Sequence, residues 1–171
     1  MSLDGYIAGI NDDLGFLSIV EQKGEDYGYQ EFIKLIDTII IGRKTYDKVI
    51  SMGFEYPNKD KDVYIISRTA KPGDGAFSYY SGDLRELILR LKSKPGKDIF
   101  CDGGAEIVNE LLMDNLIDEF VISVIPMMLG DGVQLFKKGR PELKLQLINS
   151  IRYDKGLVQL HYIRKEESSV N

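Results

Sequence analysis

Three short apolar runs, spaced so that segments of helical period fall between them, constrain this chain most. Thr38-Ile39-Ile40-Ile41-Gly42 is β-branched through its centre and ends in glycine. Asp62 to Ser67 (DVYIIS) and Asp98 to Asp102 (DIFCD) have the same character. Continuous apolar runs of this length read as strands buried on both faces, as in a parallel sheet. Around them, Tyr27 to Asp37 carries apolar residues at 29, 32, 33, 35 and 36, a helical spacing. Thr45 to Ser51 is also predicted helical, and Phe77 to Tyr80 reads as a short strand. Ser81-Gly82-Asp83 caps a helix whose Leu84, Leu87, Ile88 and Leu91 share a face, and Pro95-Gly96 ends it. Gly103-Gly104 opens a further helix carrying Ile107, Val108, Leu111 and Leu112. Asp118 to Ile125 is a β run stopped by Pro126. Leu143 to Arg152 and Gly156 to Arg164 alternate, which predicts a terminal antiparallel pair. The whole pattern implies an α/β fold: a mostly parallel central sheet, antiparallel C-terminal edge strands, and helices on both faces. No linker composition divides the chain, so residues 1–171 read as a single domain with a polar, frayed tail at 165–171.

Composition removes several function classes. The chain has 171 residues, 43% hydrophobic and 29% charged, an ordinary globular balance. Its net charge of -5 argues against a nucleic-acid binder. One cysteine, Cys101, allows no internal disulfide, and one histidine, His161, leaves no zinc cluster. Cys101 reads as a small packed hydrophobe and His161 as a half-exposed strand residue. No apolar stretch approaches the roughly 20 residues of a membrane span, and no signal peptide is visible. A cytoplasmic protein with no membrane or nucleic-acid partner is the expectation.

The chemistry concentrates at strand ends. In open α/β sheets, ligands sit at the carboxyl ends of the strands. Gly42-Arg43-Lys44-Thr45 runs from a strand end into a helix N-terminus, where free N–H groups and a hydroxyl suit phosphate oxygens. Ser67-Arg68 follows a second strand. Asp102-Gly103-Gly104-Ala105 follows a third, and the missing Cβ atoms let a ligand approach the backbone. Taken singly, Gly42 is a turn residue and Arg68 a solvated charge. Together they place three phosphate-suited ends in one sheet, with Arg43, Lys44 and Arg68 supplying local positive charge in an acidic protein. GxGxxG and P-loop spacings are both absent, which disfavours a kinase or an ordinary Rossmann dehydrogenase.

These residues resemble a known superfamily. Ile41-Gly42-Arg43-Lys44-Thr45-Tyr46, Ile66-Ser67-Arg68 and Asp102-Gly103-Gly104 stand in the order found in dihydrofolate reductase and its relatives. Ser2-Leu3-Asp4-Gly5-Tyr6-Ile7-Ala8 looks like the opening loop of that superfamily. Ile125-Pro126, Leu129-Gly130-Asp131-Gly132 and Leu135-Phe136 resemble the reductase domain of the bifunctional deaminase–reductase of riboflavin biosynthesis. The resemblance runs from residue 2 to about 164. It implies a dihydrofolate reductase-like fold and NADPH as cofactor. By resemblance, Gly42, Arg43, Lys44 and Thr45 bind the pyrophosphate side. Ile66, Ser67 and Arg68 form the segment that holds the 2′-phosphate. Asp102, Gly103, Gly104, Ala105 and Glu106 line the nicotinamide and pyrophosphate side, and Ile7, Ala8 and Gly9 touch the nicotinamide from a mobile first loop.

The resemblance also implies a substrate-side carboxylate sixteen residues before Gly42, which is Asp26. Reduction of a C=N bond needs a proton at nitrogen, so an acid closed in by the Tyr27 helix suits the chemistry. Asp26 reads equally as the N-cap of that helix. Asp4 is the competing acid, or simply the turn residue before Gly5. Two departures stand out. Only Met1 precedes the opening loop, so either the start was called late or the sheet lacks half of its first strand, and the chain has no H-x-E or P-C-x-x-C, so it carries no zinc deaminase. The reading is an NADPH-dependent reductase, with 5-amino-6-(5-phosphoribosylamino)uracil as first substrate and dihydrofolate as runner-up. A non-catalytic NADPH-binding module is the rival from another class. A two-fold homodimer through the Asp118 to Ile125 strand and the two terminal strands, with Leu143, Leu145, Leu147 and Val158 available, is the expected assembly.

Overall fold

Ile39, Ile40 and Ile41 are wholly shielded from solvent, so side chains pointing to both faces of their strand are buried. That strand is the centre of the architecture. The computed structural model describes residues 1–165, and the expectation for the tail beyond Lys165 lies outside them. Lys165 itself is held, its N–H donating to the Lys144 carbonyl at 2.9 Å. The chain forms two compact units, Gly28–Asp114 and Met1–Tyr27 with the segment from Asn115 onward.

The first unit opens with the short helix α1 (Tyr29–Lys34), followed by β2 (Ile36–Gly42), α2 (Arg43–Ser51), β3 (Asp62–Ile66), β4 (Phe77–Tyr80), α3 (Leu84–Lys92), β5 (Asp98–Gly103) and α4 (Ala105–Met113); β1 (Tyr6–Ala8) belongs to the other unit. Its four strands run parallel in the order β4-β3-β2-β5. Burying one isoleucine contributes about 1.5–3 kcal/mol, so the β2 run anchors this sheet. Ile33, Ile36, Ile39, Ile41, Tyr56, Val63 and Ile65 form one core. Asp83 caps α3 as read from sequence, accepting the Glu86 N–H at 2.9 Å, and Leu84, Leu87 and Ile88 are buried.

The helix expected from Tyr27 to Asp37 is shorter. Tyr27 and Gly28 both have positive φ, at 55° and 79°, so the helix starts only at Tyr29. Its end gives way to β2 at Ile36, whose side chain is needed in the core. The N-cap is Gly28, not Asp26.

The second unit holds two antiparallel sheets. β1 pairs with β7 (Val133–Gln134), and β6 (Glu119–Val124), β9 (Val158–Arg164) and β8 (Leu145–Arg152) follow in that order. The expected antiparallel terminal pair is therefore present, hydrogen-bonded with β6 as a sheet of its own. Ser2 bridges in parallel to Ile125, and the Ile125 N–H donates to Met1 at 2.8 Å, so the first residues run as an extended segment beside the end of β6. Phe16, Val20, Ile125 and Leu157 form this unit's core. Among the described residues no helix is long and apolar enough to cross a membrane.

Candidate active site

Register places the three strand ends side by side. Gly42 lies opposite Ile66, and Ile41 opposite Gly103, so β2, β3 and β5 finish at one edge. Gly42 leads directly into α2, and Gly104 into α4. Neither helix start has a side-chain cap, whereas α3 has Asp83. The first-turn N–H groups of α2 and α4 thus lack the usual capping acceptor. The two starts are closely packed. A Cβ on Gly42 would stand 3.1 Å from Ile107 Cγ1, and one on Gly104 would stand 2.9 Å from the Thr45 hydroxyl. Gly103 has a φ of 95°, a conformation glycine adopts without strain.

Charge separates the two helix starts. α4 carries Glu106 in its first turn, a carboxylate that offsets the N-terminal dipole; α2 has no acid there. Lys44 and Arg68 are exposed. Arg43 is turned along its own helix, donating to Asp47 at 2.8 Å, an exposed pair of small energetic weight. Ser67 is buried just past β3 and its Oγ accepts the Thr69 N–H at 3.2 Å. Ala105 is buried and Ile66 half-buried. Uncapped amides on α2, the Thr45 and Ser67 hydroxyls, and the cations Lys44 and Arg68 make a donor set that fits the phosphates of a dinucleotide.

Asp102 has a feature the sequence did not disclose. Tyr56, in the segment between α2 and β3, donates its hydroxyl to Asp102 Oδ2 at 2.5 Å. Asp102 is an exposed residue, and its carboxyl is partly desolvated where the buried Tyr56 stands against it. That desolvation pushes its carboxyl above the usual aspartate value, while the Tyr56 bond pulls the other way. No periodic pattern surrounds Tyr56. The local signal is no more than two aromatics, Phe54 and Tyr56, among turn residues.

The other residues singled out in the sequence belong to the second unit. Ile7 and Ala8 lie in β1, pinned by β7, and Ala8 and Gly9 are buried. A Cβ on Gly132 would fall 2.2 Å from the Ala8 carbonyl, so that glycine lets the two segments pass closely. Asp4 is fully engaged. Its Oδ1 accepts from Ser2 Oγ at 2.6 Å and the Leu129 N–H at 3.1 Å, and its Oδ2 accepts the Gly130 N–H at 2.7 Å. The Ser2 bond first, then the backbone donors, hold its carboxyl below the usual range. Asp26 is exposed rather than closed in by apolar side chains. It directly precedes Tyr27, whose ring packs edge-on against Tyr153 at 4.9 Å and whose hydroxyl donates to the Val20 carbonyl.

The sequence matches the family described as the RibD C-terminal domain over residues 1–159. The chain belongs to the RibD C-terminal domain family. Within this family's reach, it is 38% identical to the uncharacterized Bacillus subtilis (strain 168) protein YwjB, over 96% of this chain and 94% of YwjB. A solved structure from Shewanella sp. PV-4, described only provisionally as a riboflavin biosynthesis protein, is 32% identical and superposes with a TM-score of 0.87. That match covers 97% of this chain and 96% of the other. A Thermotoga maritima diaminohydroxyphosphoribosylaminopyrimidine deaminase/5-amino-6-(5-phosphoribosylamino)uracil reductase shares the fold at 15% identity and a TM-score of 0.68; 96% of this chain covers 54% of it. The RibD-type fold read from the sequence is thus the observed one.

Proposed function

We propose that this RibD-type domain is an NADPH-dependent reductase that delivers a hydride to the ribose C1′ of 5-amino-6-(5-phosphoribosylamino)uracil or a close relative. The observation that carries the reading is the uncapped start of α2, free of acids in its first turn, at the edge where Lys44, Arg68 and Asp102 also stand. Bound NADPH supplies the hydride. The α2 amides and the Thr45 hydroxyl hold the pyrophosphate, and Lys44 neutralises it. Ser67 and Arg68 take the adenosine 2′-phosphate. Ala105 and the Gly103-Gly104 backbone leave room for the nicotinamide side of the cofactor.

In the open imine form of the substrate, the hydride goes to C1′ and a proton goes to the adjoining nitrogen, giving the ribitylamine. The proton is assigned to Asp102, whose carboxyl desolvation raises above the usual aspartate value and which stands at the strand-end edge. Asp4, charged and occupied by three donors, fits a structural role. Asp26, read from the sequence, is the alternative acid.

The test is NADPH oxidation followed at 340 nm with the phosphoribosylaminouracil and with dihydrofolate as separate substrates. Turnover with the first alone is expected. Turnover with dihydrofolate alone would reassign the substrate. Tight NADPH binding with no turnover on either would leave a cofactor-binding module.

A further inference from the structure

The Tyr56 ring is 3% exposed and lies in the core of the parallel sheet's unit. Tyr46 and Phe77 hold it, with ring centroids 5.7 and 6.1 Å away. A buried phenol needs an acceptor, and this one uses Asp102 Oδ2 at 2.5 Å. The bond joins an irregular segment after α2 to the end of β5.

We propose that Tyr56 is a positioning residue for Asp102, occupying Oδ2 so that the exchangeable proton is carried on Oδ1. The catalytic meaning of this rests on the reductase reading above. A carboxyl bonded to a ring that packing has fixed cannot turn freely, so the free oxygen keeps one direction. Burial, then the adjacent Asp102, drives the Tyr56 hydroxyl far above its ordinary value, so it remains a donor at every working pH. Desolvation and the Tyr56 bond act on Asp102 in opposite senses, which makes Tyr56 the group that limits how far its carboxyl rises. The other titratable groups facing the pair are Cys101, Tyr29 and Tyr46. Burial pushes the Cys101 thiol up to about 11 and raises Tyr46 as well, so neither adds charge near neutral pH.

Tyr56→Phe removes the hydroxyl and keeps the ring. Carbon-13 NMR of the Asp102 carboxyl in the cofactor-free protein should show its titration move upward by about one to two pKa units, the worth of one hydrogen bond to a charged group. With NADPH and substrate, kcat should fall, KM for NADPH should hold, and the limb on which the rate falls at high pH should move upward with the carboxyl. An Asp102 titration unmoved in the folded variant overturns the proposal. Where the variant does not fold, the wild type decides. Its Tyr56 Cζ resonance should follow the Asp102 titration and lose that response in Asp102→Asn; a Cζ signal blind to the carboxyl overturns the proposal equally. The NMR arm needs no cofactor. Its failure is therefore separate from a failure of hydride transfer, which would overturn the catalytic meaning while the titration still moved.

Discussion

Asp4 Oδ2 accepts the Gly130 N–H at 2.7 Å, tying the first turn of the chain to a loop 126 residues later. Ser2 and Leu129 complete the carboxylate's donors. The clamp holds the Leu129-Gly130 segment that the sequence marks as riboflavin-type. Because the folded-state pKa of Asp4 is lowered, its contribution is present above the unfolded aspartate pKa and is lost as pH falls through the folded value. Asp4→Ala should speed hydrogen exchange at the Leu129 and Gly130 amides and flatten the acid side of the stability profile. Unchanged exchange at both amides would show that the loop stands without the clamp.

Arg68 is an exposed cation directly after β3. Pairing with the 2′-phosphate contributes about 1.5–3 kcal/mol, or roughly 10- to 150-fold in affinity. Arg68→Ala should weaken NADPH by that factor and leave NADH nearly unaffected, as read by fluorescence titration of both. Equal weakening of the two cofactors would remove Arg68 from the role.

Asp102→Asn keeps the shape and an acceptor for Tyr56 but has no proton to give. It should slow turnover by roughly 10²–10⁴ with little change in NADPH affinity. In the wild type the rate should fall as pH rises through the elevated Asp102 value, because the proton-bearing form is then lost. The variant should lose that limb. The same loss in Asp26→Asn, with Asp102→Asn near native, would move the proton to Asp26.

The sheet was legible in the sequence because β-branched runs at 38–42, 62–67 and 98–102 leave few alternatives, and Asp83 announced its helix by capping chemistry. The phosphate-suited strand ends followed from the same runs. α1 was over-read because apolar spacing is blind to φ: Tyr27 and Gly28 both turn left-handed, and Leu35 and Ile36 satisfy a helical period while Ile36 is spent in a strand. β7, with two residues, is below any periodic signal. Tyr56 was illegible because its role depends on Asp102, 46 residues away, and on packing that no local pattern encodes.

β8 is the edge of the three-stranded sheet, and all eight of its residues are exposed. Leu145, Leu147, Ile148 and Ile151 stand open on it, Leu147 at 51%. An edge strand offers unpaired backbone groups, and two copies of one strand can pair antiparallel about a two-fold axis. The expected assembly is that homodimer, with twice the 19.4 kDa chain mass in light scattering at micromolar concentration. Leu147→Lys should shift it towards the single-chain mass. A wild type already at the single-chain mass would contradict the assembly.

Hydride transfer from NADPH to a ribosylamine can be followed with an isotopic label. With NADPH deuterated at C4 of the nicotinamide on the transferred face, and the phosphoribosylaminouracil as acceptor, one deuterium should appear at C1′ of the ribityl product by mass spectrometry. Product formed without deuterium at C1′, or no NADPH oxidation by folded protein that binds the cofactor, would rule out hydride transfer to C1′.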